Sequence, residues 1–484
     1  MNVKMMGRFL SQIIAIEAVF MIPALGISLG YGEWNAVRGF AYALAITVAL
    51  SGVLFALCRK ADKLFGAREG MVCVGFSWVV LSLLGCLPFW ISGEIPAFID
   101  AFFEIVSGFT TTGASILSDV ESLSYGLLYW RSFSNWLGGM GVLVFLLAVA
   151  SGSGKDKGFT MHLLRAESPG PDVGKLVPRM KQTAMILYLL YIAMTAINLI
   201  FLLAGGMSFF EALCLAFSTA GTGGFGIKGD SLASYSPYIQ NVTTVFMFLF
   251  AINFSCYYLL LLRQFRSVFK DEELRLFIGI AVISIGLITW NIYGMYGSLG
   301  ETVRHAAFQV STIMSSTGFA TTDFDQWPVF SKTILLMLML IGACAGSTGG
   351  GFKVARLLLI FKSLRRNIRQ VLNGQKVQVV RNNGRTVDEK ILDNTNAYLA
   401  AYMIIMVLSV LLISLDGLSV EANVSAVFSC FNNMGPGFAE VGPTCNYGIY
   451  SAFSKLILII DMLAGRLEIF PILVLLSRGT WKGR

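Results

Sequence analysis

Long apolar runs alternate with short polar connections along nearly the whole chain. Runs of about 20 apolar residues, enough to cross a bilayer as a helix, fall near residues 9–29, 39–58, 70–92, 124–150, 183–205, 240–262, 276–298, 332–361, 396–416 and 453–476. The pattern predicts ten spans. The connections between them alternate in charge. Lys4 and Arg8 precede the first run, and Arg59, Lys60, Lys63 and Arg68 follow the second. Lys155, Lys157, Arg165, Lys175, Arg179 and Lys181 follow the fourth, and Arg263, Arg266 and Lys270 the sixth. Lys362, Arg365, Arg366, Arg369 and Lys376 follow the eighth, and Arg478, Lys482 and Arg484 the tenth. The remaining connections hold Glu94, Asp100, Glu104, Asp119, Glu121, Asp230, Asp323, Asp325, Glu421 and Glu440. Basic loops stay on the cytoplasmic side. Both termini are therefore expected to be cytoplasmic, with the acidic connections outside.

Four of the outer connections share a second feature. Each holds a semi-apolar stretch, such as residues 101–109 or 306–314, and then a short glycine segment. The segments are TTTGAS at 110–115, GTGGFG at 221–226, SSTGFA at 315–320 and NNMGPGF at 432–438. With Gly113, Gly224, Gly318 and Gly435 as markers, the intervals are 111, 94 and 117 residues. A helix of about ten residues reaches only about 15 Å, half a bilayer. The chain should then dip in as a half-helix and return extended, a path tolerated at membrane depth only inside protein or beside water. Span, half-helix, extended segment and span, repeated four times, predict an all-α membrane protein with a pseudo-fourfold pore. Residues 1–66 form an extra N-terminal helix pair, and residues 67–170, 171–268, 269–385 and 386–484 form the four repeats.

Composition agrees with this and excludes other classes. Hydrophobic residues make up 56% of the chain and charged residues 13%, against about 25% charged in soluble proteins. The net charge of +8 resides in short loops beside apolar runs, which points to membrane topology and not to nucleic acid. The first run lacks a clear small-residue cleavage site, so no removable signal peptide is expected. None of the eight cysteines forms a CxxC pair, and buried free thiols are expected. His162 and His305 are too few for a metal centre. No Ser/His/Asp set, Walker loop or dinucleotide fingerprint stands out, so an enzyme has no residues to rest on.

A potassium ion that sheds its water needs replacement oxygens, and backbone carbonyls supply them without charge, so the ion can also leave. Aiming successive carbonyls inward demands backbone angles that glycine adopts cheaply. The candidate potassium filter is Thr110, Thr111, Thr112 and Gly113; Gly221, Thr222, Gly223 and Gly224; Ser315, Ser316, Thr317 and Gly318; and Asn432, Asn433, Met434 and Gly435. The threonine hydroxyls can add oxygens below the carbonyls. The half-helices aim their partly negative C-terminal ends at the axis, and the acidic loops concentrate cations. Adjacent Gly223 and Gly224 leave the register of the second segment open. Unequal segments predict weaker selectivity than in a fourfold-symmetric potassium channel.

A second glycine cluster lies inside the eighth run, IGACAGSTGGGF at 341–352. Each interior glycine costs a helix about 1 kcal/mol relative to alanine. Gly342, Gly346, Gly349, Gly350 and Gly351, with Ser347 and Thr348, should break the span and leave a loop of small residues beneath the filter, a candidate gate. Arg466 lies in the tenth run, where an arginine is expensive and a functional candidate. Its donors could hold carbonyls of the loop; a local pair with Glu468 or Asp461 is the alternative. Arg131, near the outer end of the fourth run, is expected to anchor the filter.

These residues resemble those of the Trk/Ktr/HKT superfamily of potassium transporters, most closely the bacterial Trk-type membrane subunit. The motifs are FFEIVSGFTTTGA, GTGGFG, SSTGFATTD, CAGSTGGGFKV, NNMGPGF and AGRLEIF, spread from about residue 100 to 470. The resemblance implies potassium uptake across the bacterial inner membrane by a homodimer with one pore per protomer. It implies a cytoplasmic ring partner with RCK domains that binds ATP/ADP or NAD(H), this chain carrying no organic cofactor of its own. It maps the filter onto Gly113, Gly224, Gly318 and Gly435, the gating loop onto residues 342–351 and the pore arginine onto Arg466. Asp461 is not part of the family pattern. It is the one plausible carboxylate for a Na⁺- or H⁺-coupled symporter, which remains the alternative to a gated channel.

Overall fold

The structure, a computed structural model, describes residues 2–59, 67–139, 141, 180–373 and 378–481. The later part of the expected span at 124–150, His162, the basic cluster at 155–179, and Lys60, Lys63, Lys376, Lys482 and Arg484 lie outside these residues. Among the described residues the chain is helical, apart from one two-residue β-pair, Arg381–Asn382 with Arg385–Thr386. Among the described residues six helices are long and apolar enough to cross a membrane: Val3–Tyr31, Trp34–Leu57, Arg68–Ser92, Met185–Ala204, Glu272–Met295 and Glu389–Asp416. They turn large apolar side chains such as Leu57, Trp290 and Leu411 outward. Lipid is the solvent there, and a helix satisfies its own backbone within it.

The first two helices, α1 (Val3–Tyr31) and α2 (Trp34–Leu57), pack on each other and, through α1, on the first repeat. Each repeat begins with a span: α3 (Ala67–Gly85) continued by α4 (Leu87–Ser92), then α7 (Met180–Ala204), α12 (Glu272–Ile292) and α16 (Glu389–Ile413). A half-helix follows each: α5 (Phe98–Phe109), α8 (Phe209–Gly221), α13 (Leu299–Met314) and α17 (Val420–Phe431). Asp100, Glu211, Glu301 and Glu421 sit in the first turns of these half-helices, where a negative charge offsets the exposed N–H groups. Ser208, Ser298 and Ser419 cap three of them through their side chains. The chain then runs extended through the glycine segment into a second helix: α6 (Tyr125–Gly139), α9 (Pro237–Ala251), α14 (Val329–Ile341) and α18 (Ala452–Arg466). Each second helix packs on the half-helix of the next repeat: α6 on α8, α9 on α13, α14 on α17, and α18 on α5. This closes the four repeats into a ring.

Among the described residues three of the second helices are interrupted, two of them where the sequence predicts unbroken spans. The expected span at 240–262 bends by 89° between α9 and α10 (Phe254–Leu261), after which comes the short helix α11 (Phe265–Phe269). Ile252 is extended there, and the Asn253 side chain caps the new helix by accepting from the Ser255 N–H at 2.8 Å. The expected span at 453–476 stops at Arg466 and resumes as α19 (Phe470–Leu476), with Glu468 and Ile469 both at positive φ. The third interruption separates α14 from α15 (Val354–Leu372), and the glycine loop at 342–353 lies between them. Such breaks are tolerated when other protein groups take up the freed backbone. The Ala251 carbonyl accepts from Cys344 N–H at 3.1 Å, and the Gly346 carbonyl from Phe254 N–H at 3.0 Å. The break in the second repeat and the loop of the third thus satisfy each other.

Candidate functional site

The four glycine segments share one backbone geometry. In each, the half-helix ends in the same pair of hydrogen bonds. Thr111 N–H donates to Gly108 and Thr112 N–H to Ser107; the counterparts are Thr222 to Thr219 and Gly223 to Ser218, Ser316 to Ile313 and Thr317 to Thr312, and Asn433 to Cys430 and Met434 to Ser429. Their lengths lie between 2.8 and 3.3 Å. This is a Schellman cap, which requires a left-handed residue just past the helix. Thr111, Thr222, Ser316 and Asn433 fill that place at φ of 55, 54, 55 and 53°. Two residues later come Gly113, Gly224, Gly318 and Gly435 at φ of 82, 66, 93 and 104°. The second segment is thereby in register on Gly224, with Gly223 matching Thr112, Thr317 and Met434.

The segments also meet one another. A β-carbon on Gly113 would stand 2.2 Å from the Gly223 carbonyl oxygen, one on Gly224 1.9 Å from that of Thr317, and one on Gly318 2.2 Å from that of Met434. One on Gly435 would stand 2.9 Å from the Thr112 oxygen, which completes the circuit. Each glycine therefore faces the carbonyl just before the glycine of the next repeat, and no larger residue fits. The sixteen predicted filter residues come together in this ring. All are buried except Gly113, Gly224 and Gly318, which are partly exposed.

The left-handed positions escaped the sequence reading. A non-glycine residue there costs about 1–2 kcal/mol, yet all four carry short polar side chains, and three reach other parts of the site. Thr111 Oγ1 accepts from Arg466 at 3.3 Å, Ser316 Oγ accepts from the Gly350 N–H, and Asn433 Nδ2 donates to Thr112 Oγ1 at 3.0 Å and to the Met462 carbonyl at 2.9 Å. A short polar residue two places before each glycine was the available signal. The threonine hydroxyls are themselves engaged, Thr110 Oγ1 lying 2.7 Å from both the Val106 carbonyl and Thr112 Oγ1.

Beneath the ring lies the loop at 342–353. A β-carbon on Gly349 would come within 2.6 Å of the Ser315 carbonyl oxygen, and one on Gly350 within 2.4 Å of that of Asn432. The loop backbone thus presses against the ends of the third and fourth half-helices. It is closed by Lys353 N–H to the Ile341 carbonyl at 3.0 Å and Val354 N–H to that of Ala343 at 3.1 Å. Thr348 Oγ1 donates to the Phe250 carbonyl at 3.1 Å, and Lys353 Nζ to that of Gly349. Arg466 joins loop and ring: it donates to the Thr348 carbonyl at 3.0 Å, to Thr111 Oγ1, and to the carbonyls of Gly138 and Gly139. Glu468 is engaged by Arg356, and Asp461 accepts from Ser409 Oγ at 2.7 Å.

Above the ring, Arg131 is buried and donates to Glu104 at 2.6 Å and to the Gly226 carbonyl at 2.7 Å, its guanidinium 3.6 Å from the Phe225 ring centroid. It ties the first half-helix to the second glycine segment. Lys455 with Asp100 at 2.6 Å, and Lys332 with Glu421 at 2.9 Å, bridge repeats elsewhere around the rim. The seven cysteines inside the fold are free and buried, and Cys445 is free and exposed.

A sequence profile of the TrkH family, described as a cation transport protein, matches residues 37–480. The chain is 34% identical over 478 residues to the Trk system potassium uptake protein TrkH of Escherichia coli (strain K12), covering 97% of each. It is 33% identical over 491 residues to the TrkH protein of Halomonas elongata, covering 100% of each. Its fold is similar to the crystal structure of the potassium transporter TrkH from Vibrio parahaemolyticus, with a TM-score of 0.88, 31% sequence identity and full coverage of both chains.

Proposed function

The chain belongs to the TrkH family of cation transport proteins, and from that premise we propose that it takes up potassium through the ring of four glycine segments, under control of the loop at 342–351. The observation that carries the reading is the recurrence of one strained turn four times around one axis. Four capped half-helices bring partly negative ends and backbone carbonyls to the same level, which suits a dehydrated cation more than any organic substrate. The loop supports a gate because it presses on the third and fourth segments from below and hangs on Arg466, whose charge opposes a cation at that point.

We place the protein in the bacterial inner membrane with both termini cytoplasmic. It would act as a homodimer and bind a cytoplasmic RCK-domain partner that carries ATP/ADP or NAD(H). The basic helix α15, which continues directly from the loop, is the element through which such a partner could pull on the gate. Potassium entry would be driven by the membrane potential, worth about 2.3 kcal/mol per charge per 100 mV. Current reversal in proteoliposomes tests the reading. A channel reverses at the potassium Nernst potential; a reversal that shifts with Na⁺ or H⁺ would favour a coupled symporter.

A further inference from the structure

One carbonyl of the ring differs from its three counterparts. The Gly435 carbonyl oxygen accepts from Ser429 Oγ at 2.6 Å and from the Tyr447 hydroxyl at 2.8 Å. Among the described residues the carbonyls of Gly113, Gly224 and Gly318 accept no hydrogen bond. A carbonyl oxygen has two lone pairs, so both of those on Gly435 are committed to protein donors. The contrast does not come from the half-helix alone. Six residues before the glycine, every repeat has a hydroxyl: Ser107, Ser218, Thr312 and Ser429. Ser107 Oγ and Thr312 Oγ1 are buried without a partner, and Ser218 Oγ accepts weakly from Asn135 at 3.4 Å. What the fourth repeat adds is Tyr447. Its N–H donates to the Ser115 carbonyl at 2.8 Å, and its ring lies 5.7 Å from that of Phe103. The phenol is thus fixed between the first and fourth segments.

Resting on the filter reading above, we infer that Tyr447 and Ser429 are positioning residues that set potassium-over-sodium selectivity by withdrawing the Gly435 carbonyl from the ion. Two protons directed at one oxygen lower its field toward a cation and fix its direction. Selectivity depends on the number and field strength of the coordinating carbonyls. At the glycine level the ion then meets three carbonyls of full strength and one that is weakened, which favours potassium over sodium less than four would.

The experiment is the permeability ratio of K⁺ to Na⁺, from reversal potentials of the full chain in proteoliposomes under bi-ionic gradients. Tyr447→Phe and Ser429→Ala each remove one donor. Each should raise the ratio, and the double variant should raise it on the order of threefold by restoring a fourth carbonyl. Ser107→Ala and Thr312→Ala remove the hydroxyl at the same offset where it bonds nothing and should leave the ratio at the parent value. An unchanged or lower ratio in a folded Tyr447→Phe protein would overturn the inference. So would loss of potassium flux in both Tyr447→Phe and Ser429→Ala, because the two bonds would then support conduction. Gly113→Ser separates the two readings: if it leaves the ratio unchanged, the filter assignment fails; if it lowers the ratio while Tyr447→Phe has no effect, only the role of Tyr447 fails.

Discussion

The ring of glycine segments and the second helices beneath it follow opposite rules. Above, four unlike sequences adopt one geometry, with the same two cap bonds and the same left-handed residue two places before the glycine. Below, α9 bends by 89°, α14 opens into a twelve-residue loop and α18 stops at a pair of left-handed residues. Symmetry is kept at the ring, where the proposed filter would gather its carbonyls around one ion. It is abandoned where the elements have to fit one another, since a single loop can fill the space under the ring and its neighbours must accommodate it.

Substitutions can break or sharpen this contrast. The largest effect is expected from Arg131→Ala, which leaves the fully buried Glu104 without its cationic partner and with only Ser115 and the Ile116 N–H as donors. Removing one member of a buried pair costs about 3–5 kcal/mol, so thermal melts in detergent should show a clearly lower midpoint. Potassium discrimination should fall too, because the Gly226 carbonyl loses its donor. A variant that melts with the parent would mean that the ring stands without its outer clamp. Next come the glycines themselves. Gly113→Ser should lower K⁺ over Na⁺ discrimination by roughly tenfold, with Gly224 and Gly318 similar. Gly435, where a β-carbon would stand 2.9 Å from the nearest oxygen and so clash least, should be the mildest. Equal losses at all four would argue that strain at positive φ dominates over the contact.

The gate is expected to respond in the opposite direction. Arg466→Ala, or deletion of residues 342–351, should raise partner-free potassium flux several-fold, measured in cells lacking other uptake systems. Arg466→Lys should be intermediate, because lysine keeps the charge but loses the planar fork of donors. A folded Arg466→Ala protein that conducts no better than the parent would reduce the arginine to a brace between Thr111 and the Thr348 carbonyl. The smallest effect is expected at α15. Neutralising the exposed Arg365 and Arg369 should weaken binding of the regulatory partner only modestly and flatten its salt dependence. Binding insensitive to both charge and salt would move the docking surface elsewhere.

What could be read from the sequence follows the same division. The four-repeat helical membrane architecture was legible because span length, charge alternation and glycine spacing all report local physics. The interruption at 342–353 announced itself through five glycines in twelve residues. The bend at Ile252–Asn253 did not, because AINFSCYY reads as a largely apolar run in which Asn253 and Ser255 are small interruptions. Its break depends on Cys344 and Gly346, about ninety residues away in sequence. Glu468 and Ile469 are similarly opaque: a β-branched residue at φ of 67° has no local justification and is held by contacts such as Arg356 to Glu468. Thr111, Thr222, Ser316 and Asn433 were legible as members of the segments but not as the left-handed ones, since nothing in a single threonine or asparagine distinguishes a cap from a ligand.

Because the four segments lie on one polypeptide, each is encoded separately. In an assembly of four identical chains, a single codon change alters every quarter of the ring at once, and a harmful replacement is multiplied by four. Here the same change touches one quarter. The second segment can carry a glycine pair, the third a serine pair and the fourth an Asn-Asn-Met sequence without forcing those choices on the others. If the ring selects the ion as proposed, its preference can drift in small steps during evolution, one quarter at a time, while the other three keep their geometry.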